Sequence, residues 1–238
     1  MKKYLFATLM AVMGVCAQAQ IVSSSSSRVI RFVDEKPAEP FKPTRYVKGG
    51  FSVLNFISEN DDWMSPSYYS LTGYNLVFGY DKPFFQDKTD APLRGCISWG
   101  IEAGLSSRGT GIDLSGDYEL SGDDCVEVLK HSLIVNPKLT FKIGSPKFSW
   151  YYDLGAFVRF DYATGIDAGY DDLETLFQEW TEDQNVDAGL SLGTGFWINR
   201  FEIGFGVLFG FSPLFSTGTE NEIEGMTISP QFHIGWAF

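Results

Sequence analysis

Thiols and imidazoles are scarce in this sequence, with three Cys and two His among 238 residues. Cys16 lies inside an amino-terminal apolar run, so only Cys96 and Cys125 remain once that run is removed, too few for a disulfide framework. The two His, His131 and His233, and the two remaining Cys are far apart in sequence, so no zinc site and no other metal or cofactor is expected. Basic residues are also few, 18 against 30 acidic, which disfavours a nucleic-acid partner. Beyond the first 19 residues no segment is apolar enough, over about 20 residues, to cross a bilayer as a helix.

What is present begins with Lys2 and Lys3, an apolar run from Tyr4 to Cys16, and Ala17-Gln18-Ala19, a small-x-small cleavage pattern. Residues 1–19 therefore read as a signal peptide cleaved after Ala19; the run is too short for a spanning helix, and Val15 before Cys16 disfavours lipid attachment there. Loss of Lys2 and Lys3 takes the 18 basic residues to 16 against 30 acidic, a net charge of −14. Residues 20–44, with Ser23 to Ser27 and Pro37, Pro40 and Pro43, read as a flexible segment outside the folded unit.

From Arg45 onward the pattern has period two, and 25 Gly with 16% aromatic residues suit strands throughout. Phe201, Ile203, Phe205, Val207, Phe209 and Phe211 alternate with Glu202, Gly204, Gly206, Leu208 and Gly210. The final stretch places Met226, Ile228, Pro230, Phe232, Ile234, Trp236 and Phe238 on one face and Thr227, Ser229, Gln231, His233, Gly235 and Ala237 on the other. Val186 to Ile198 and Trp150 to Tyr162 alternate in the same way. Ile97 to Leu105 and Leu133 to Ile143 make six strands, and Arg45 to Ile57 and Tyr69 to Tyr80 complete eight.

A soluble barrel also alternates, with its apolar face inward. Connection lengths separate the two cases. Asn199-Arg200 and Gly144 to Lys147 are short, while Ser58 to Tyr68, Arg108 to Cys125, Ala163 to Gln184 and Leu214 to Gly225 are long, as in barrels that cross an outer membrane with short turns on the periplasmic side. Asp81 to Leu93 is longer than such a turn should be. The four long connections carry 3, 5, 7 and 3 acidic residues, 18 of the 30, against a single basic residue, Arg108, and predict a strongly negative outer rim.

Eight such strands, an export signal and a closing strand with Phe232, Ile234, Trp236 and Phe238 on one face resemble the small eight-stranded outer-membrane β-barrels of OmpA/OmpX type, over residues 45–238. The resemblance implies an all-β, antiparallel up-and-down transmembrane barrel in the cell outer membrane. Its partners would be outer-membrane lipid and, through the last strand, the barrel-assembly machinery during insertion; an extracellular protein or glycan could meet the loops. No catalytic residue is carried over. With the apolar face outward, the lumen receives Lys48, Glu102, Lys138, Lys142, Asp153, Arg159, Asp187 and Glu202, a balanced set suited to mutual pairing inside a barrel only wide enough for its own side chains.

Aromatic residues near strand ends, Trp63, Tyr68, Tyr69, Trp150, Tyr151, Tyr152, Trp197 and Trp236, suit interfacial girdles. Leu173, Leu176, Phe177 and Trp180 recur at helical spacing after Asp171 and predict a short amphipathic helix in the third long loop; its acidic residues lack a calcium-loop pattern. Gly189-Leu190-Ser191-Leu192-Gly193 matches G-x-S-x-G, yet lies within a strand rather than at a strand-to-helix turn. His131 and Ser132 are adjacent, and neighbours in a strand face opposite ways, so they cannot form a dyad. Cys96 and Cys125 fall at opposite ends of their strands, beyond the reach of a disulfide. The expected role is structural or surface recognition; a lipid-modifying enzyme and a soluble ligand-binding barrel are the alternatives.

Overall fold

The computed structural model describes residues 39–53, 55–58, 67–87, 93–113, 125–168, 174–175, 178, 185–212 and 225–238. Residues 1–19, expected to be a signal peptide, and most of the Ser/Pro segment lie outside them, as do Trp63, Trp180 and most of the acidic loop residues.

The strands are β1 (Thr44–Val53), β2 (Asn55–Ser58), β3 (Ser67–Gln86), β4 (Arg94–Asp113), β5 (Cys125–Ser145), β6 (Phe148–Ala168), β7 (Val186–Ile198), β8 (Phe201–Gly210) and β9 (Gly225–Ala237). β1 and β2 are halves of one stave, since both pair with β9 in a single register, Tyr46 opposite Ala237 and Asn55 opposite Ile228. Every neighbour is antiparallel, and β9 bonds to β8 on one side and β1 on the other, closing a ring of eight staves. The Phe238 amide completes the seam by donating to the Arg45 carbonyl at 3.0 Å. Closure leaves no sheet edge along the seam.

Sidedness follows the alternation. Phe201, Ile203 and Phe205 on β8, Leu133, Leu139 and Phe141 on β5 and Phe232, Ile234, Trp236 and Phe238 on β9 are all exposed, while Lys48, Lys138, Arg159, Asp187 and Glu202 are buried. A soluble protein does not carry an apolar belt around its whole girth. On β5 the belt runs from Ile143 to Leu133, ten residues, or about 25 Å in height at a strand tilt of about 40°. That matches the hydrocarbon thickness a barrel wall must cover, and the fold is a transmembrane β-barrel.

The hairpins at one end are tight. Asn199, at φ 57°, and Arg200 join β7 to β8. Pro146 and Lys147 alone join β5 to β6, two residues fewer than the alternation suggested, because pairing continues to Ser145 opposite Phe148. β3 does not stop at Tyr80 but runs through Pro83 to Gln86, with a register shift between Pro83 and Phe85 that accommodates the residue lacking an amide hydrogen. The expected long Asp81 to Leu93 connection thus shrinks to residues 87–93. Phe41, ahead of β1, is also tied to this end: it is buried, its amide donates to Gln86 Oε1 at 2.9 Å, and Arg94 stacks over its ring.

At the opposite end the wall is uneven. β4 pairs with β5 as far as Asp113 opposite Cys125, and β5 with β6 as far as Val126 opposite Ala168. Pairing of β6 with β7 stops at Phe160 opposite Val186, and that of β7 with β8 at Gly189 opposite Gly210. Strands of 20 or 21 residues in β3 to β6 are about twice the 9–11 needed to span, so these four rise beyond the membrane as a palisade.

Candidate functional site

The lumen is built in layers from inward-facing side chains. Tyr46, Tyr151, Trp197 and Ala237 form an apolar floor at the turn end, with Tyr46 and Trp197 edge to face at 5.7 Å. Tyr151 and Trp197 were expected in the outer girdle. Parity overrides that: Trp150 and Tyr152 flank Tyr151, and Phe196 and Ile198 flank Trp197, so the intervening ring points inward. Trp150 remains outside, stacked with Tyr152 and tilted against Phe196, at 5.3 Å each.

Above the floor lies the larger ion network. Lys138 Nζ donates to Glu102 Oε1 and Asp153 Oδ2, each at 2.7 Å, and Lys48 Nζ to Glu102 at 3.0 Å and Glu202 at 2.8 Å. Lys142 pairs with Asp81 at 3.1 Å, and the Tyr46 hydroxyl reaches Asp81 and Glu102. Tyr151 donates to Glu202 in a short hydrogen bond, with His233 Nε2 3.1 Å from the same hydroxyl. Close approach depends on glycine: a Cβ at Gly204 would strike both the His233 ring and the Tyr151 hydroxyl. A small cavity of about 60 Å³ adjoins this layer, lined in part by Lys48, Asn75, Glu102, Asn136 and Gln231.

Ile134, Phe157 and Leu208, with Val77 packed against them, form an apolar ceiling over the cavity. Beyond the ceiling is a second ion network. Arg108 Nη1 and Arg159 Nη2 both donate to Asp187 Oδ2 at 2.9 Å, and Arg108 Nη2 to Asp161 Oδ2 at 2.9 Å. Lys130 lies 3.6 Å from Asp161, which also accepts from the Ser132 hydroxyl.

All eight charged residues expected in the lumen face inward, divided between the two networks. Arg108, expected on the loop rim, is instead buried, because β4 runs five residues past it to Asp113. Asp81, Lys130, Asp161, Tyr46 and Tyr151 were missed as members. Asp81 follows the expected strand end at Tyr80 and Lys130 precedes the expected strand start at Leu133, while Asp161 lies inside the expected Trp150 to Tyr162 strand at an inward position; extending the parity of β3 and β5, and applying that of β6, would have placed them.

Ser191 faces the lumen and donates to Asn136 Oδ1 at 2.8 Å. Ser132 faces inward and His131 outward, where its Nδ1 lies 3.2 Å from the Tyr74 hydroxyl. Cys96 and Cys125 are both free. In the third long loop Glu174, Thr175 and Gln178 are helical, while the apolar positions of the predicted helix lie outside the described residues. Among the described residues no group of three or more His, Cys, Asp or Glu is arranged to hold a metal.

These features define a class: a narrow transmembrane barrel with a filled lumen and an extended rim. No protein-family model matches the chain, and no curated protein matches it in sequence. Among solved structures it is similar to Ail, the attachment invasion locus protein of Yersinia pestis, in complex with the heparin analogue sucrose octasulfate: 12% identity, TM-score 0.37, covering 83% of this chain and 100% of that one. It is also similar to Neisserial surface protein A, at 8% identity and TM-score 0.35, covering 82% and 97%. A third is the N-terminal β-barrel domain of Pseudomonas aeruginosa OprF, at 11% and 0.27, covering 82% and 97%. With TM-scores below 0.5, these likenesses support no role by themselves.

Proposed function

We propose that this chain is an outer-membrane protein that acts through recognition at its outer rim and neither transports solutes nor catalyses a reaction. The observation that carries this reading is the palisade of β3 to β6, which extends about ten residues past what the bilayer requires. The β4–β5 ladder, paired as far as Asp113 opposite Cys125 and so well beyond the membrane, has no anchoring role, and it presents a rigid surface to the exterior. A filled lumen supports the same reading, since a floor, two ion networks and a ceiling occupy the bore. Net charge favours the same division, since acidic loops suit a solvated, exposed rim. The barrel-assembly machinery is the proposed partner of the outward row Phe232, Ile234, Trp236 and Phe238 during insertion.

The test is a variant in which residues 109–129 are replaced by a short turn, shortening the β4–β5 hairpin to membrane height. It should still insert, shown by heat-modifiable migration, and should lose adhesion of expressing cells to protein- or glycan-coated surfaces. Adhesion unchanged from the full-length chain would overturn the reading.

A further inference from the structure

The open edge of β6 borders a groove that the recognition reading leaves without an occupant. Strand β6 continues to Ala168, but its pairing with β7 ends at Phe160 opposite Val186, with one further bond from the Asp161 amide to the Asn185 carbonyl at 2.8 Å. Among the described residues no strand pairs with this edge beyond that point. Alongside it lies a groove of about 360 Å³ between the strand and the helical residues Glu174 and Gln178.

Three features bear on what fits there. First, β6 carries a bulge at this site: His131 opposes Ala163 and Ser132 opposes Asp161, so Tyr162 is the extra residue. Bulges re-aim side chains, and this one displays a tyrosine ring that is 55% exposed. The ring is braced from behind by His131 at 6.4 Å, itself braced by Tyr74 at 5.9 Å, so the platform is held in place. Second, the walls carry the carboxylate of Glu174, the amides of Gln178 and Asn185 and the hydroxyl of Thr164. An amide presents a donor and an acceptor side by side, and a carboxylate two acceptors, which match vicinal hydroxyl groups. Third, among the described residues the lining includes no Lys or Arg, and Asp161 at the base has its carboxylate engaged inward with Arg108.

From these we infer that the groove binds a neutral sugar ring, a hexose or N-acetylhexosamine, stacked on Tyr162 with its hydroxyls on Glu174, Gln178 and Asn185. The inference rests on the recognition reading and assigns it a ligand class. A polyanionic saccharide is disfavoured by a lining that holds a carboxylate and no cation. The volume lies at the low end of the range for small-molecule sites, about 300–1,000 Å³, which suits one or two sugar rings. The groove begins where the outward apolar row of β6 ends, at Phe160, so it sits at headgroup level. Sugars of a glycolipid in the same leaflet and sugars free in solution share the required chemistry.

The experiment uses the full chain in lipid nanodiscs with lactose, diacetylchitobiose and sucrose octasulfate as soluble probes, read by saturation-transfer NMR and calorimetry. A parallel set of nanodiscs containing a neutral glycolipid distinguishes the membrane source from the soluble one. Expected is binding of a neutral probe or of the glycolipid headgroup, at least tenfold weaker in Tyr162→Ala, and retained within about threefold in Tyr162→Phe, which keeps the ring. Unchanged heat-modifiable migration shows that each variant is folded. Binding of sucrose octasulfate alone, of none of the probes, or equal binding by Tyr162→Ala would overturn the assignment. Should the shortened β4–β5 hairpin abolish adhesion while Tyr162→Ala binds like the parent, the groove assignment fails and the rim reading stands.

Discussion

Arg108 on β4 and Asp187 on β7 meet across the lumen, Nη1 to Oδ2 at 2.9 Å, although their staves are not neighbours in the ring. Arg159 donates to the same oxygen. One carboxylate thus ties three staves together at the level where the palisade leaves the membrane. A buried pair of this kind contributes little net stability over an apolar substitute, but removing one member leaves charge buried without a counterion. Asp187→Ala is expected to destabilise the barrel by about 3–5 kcal/mol, read as a lowered midpoint of urea unfolding in detergent micelles. A midpoint equal to that of the parent would show that the network is not closed around Asp187.

The bore is sealed twice, by the Tyr46, Tyr151 and Trp197 floor and by the Ile134, Phe157 and Leu208 ceiling. Purified protein in planar bilayers is expected to give no large, stable conductance. Replacing the Lys138 partners Glu102 and Asp153 with Gln and Asn should leave it closed, because a Gln amide oxygen still accepts from the Tyr46 hydroxyl and the ceiling is held by apolar contacts. A stable large conductance from the parent would contradict the filled lumen.

Position along the outer wall sets the cost of a charge. Leu139, near the middle of the outward row on β5, and Glu127, above it, supply the comparison. Leu139→Arg is expected to cost about 2–4 kcal/mol, and Glu127→Arg about 0–1 kcal/mol, measured by equilibrium unfolding into lipid vesicles. Equal costs at the two depths would displace the proposed membrane boundary.

Much of this arrangement was legible in the sequence, and the failures have physical causes. Alternation with period two located the staves because each buries one face against the bore and shows the other to lipid. It failed where composition was read ahead of parity. Tyr151 and Trp197 look like girdle residues, yet each sits between two outward neighbours and must point inward. The alternation from Tyr69 to Tyr80 stops one residue short of Asp81, whereas β3 continues through Pro83 to Gln86 by a register shift. Asp161 lies between Phe160 and Tyr162, inside the alternation, where its parity alone puts it in the lumen. Arg108 lies where outward positions turn polar above the membrane, and there the apolar signal ends although the strand does not. The palisade was invisible for that reason, and so was the groove at Tyr162, which depends on a bulge and on where β7 starts.

The last strand gives a separate expectation. Phe232, Ile234, Trp236 and Phe238 are exposed on the lipid side of β9, and β9 closes the ring with β1. Phe238→Ala is expected to lower the amount of heat-modifiable barrel in the outer-membrane fraction severalfold and to leave refolding of purified protein in detergent nearly unchanged. Equal losses in both assays would assign Phe238 to stability and not to assembly.

Cys96 and Cys125 provide the most direct test of the topology. Cys96 is buried opposite Lys142 near the turn end, and Cys125 is exposed opposite Asp113 at the far end of the palisade, seventeen residues along β5 and about 55 Å away. The measurement is labelling of intact cells with a membrane-impermeant maleimide, followed by mass spectrometry of the isolated protein. Cys125 is expected to be modified on the cell exterior, with Cys96 unmodified until the barrel is unfolded and no disulfide between the two. Modification of Cys96 on intact cells, protection of Cys125, or a Cys96–Cys125 disulfide would contradict the topology.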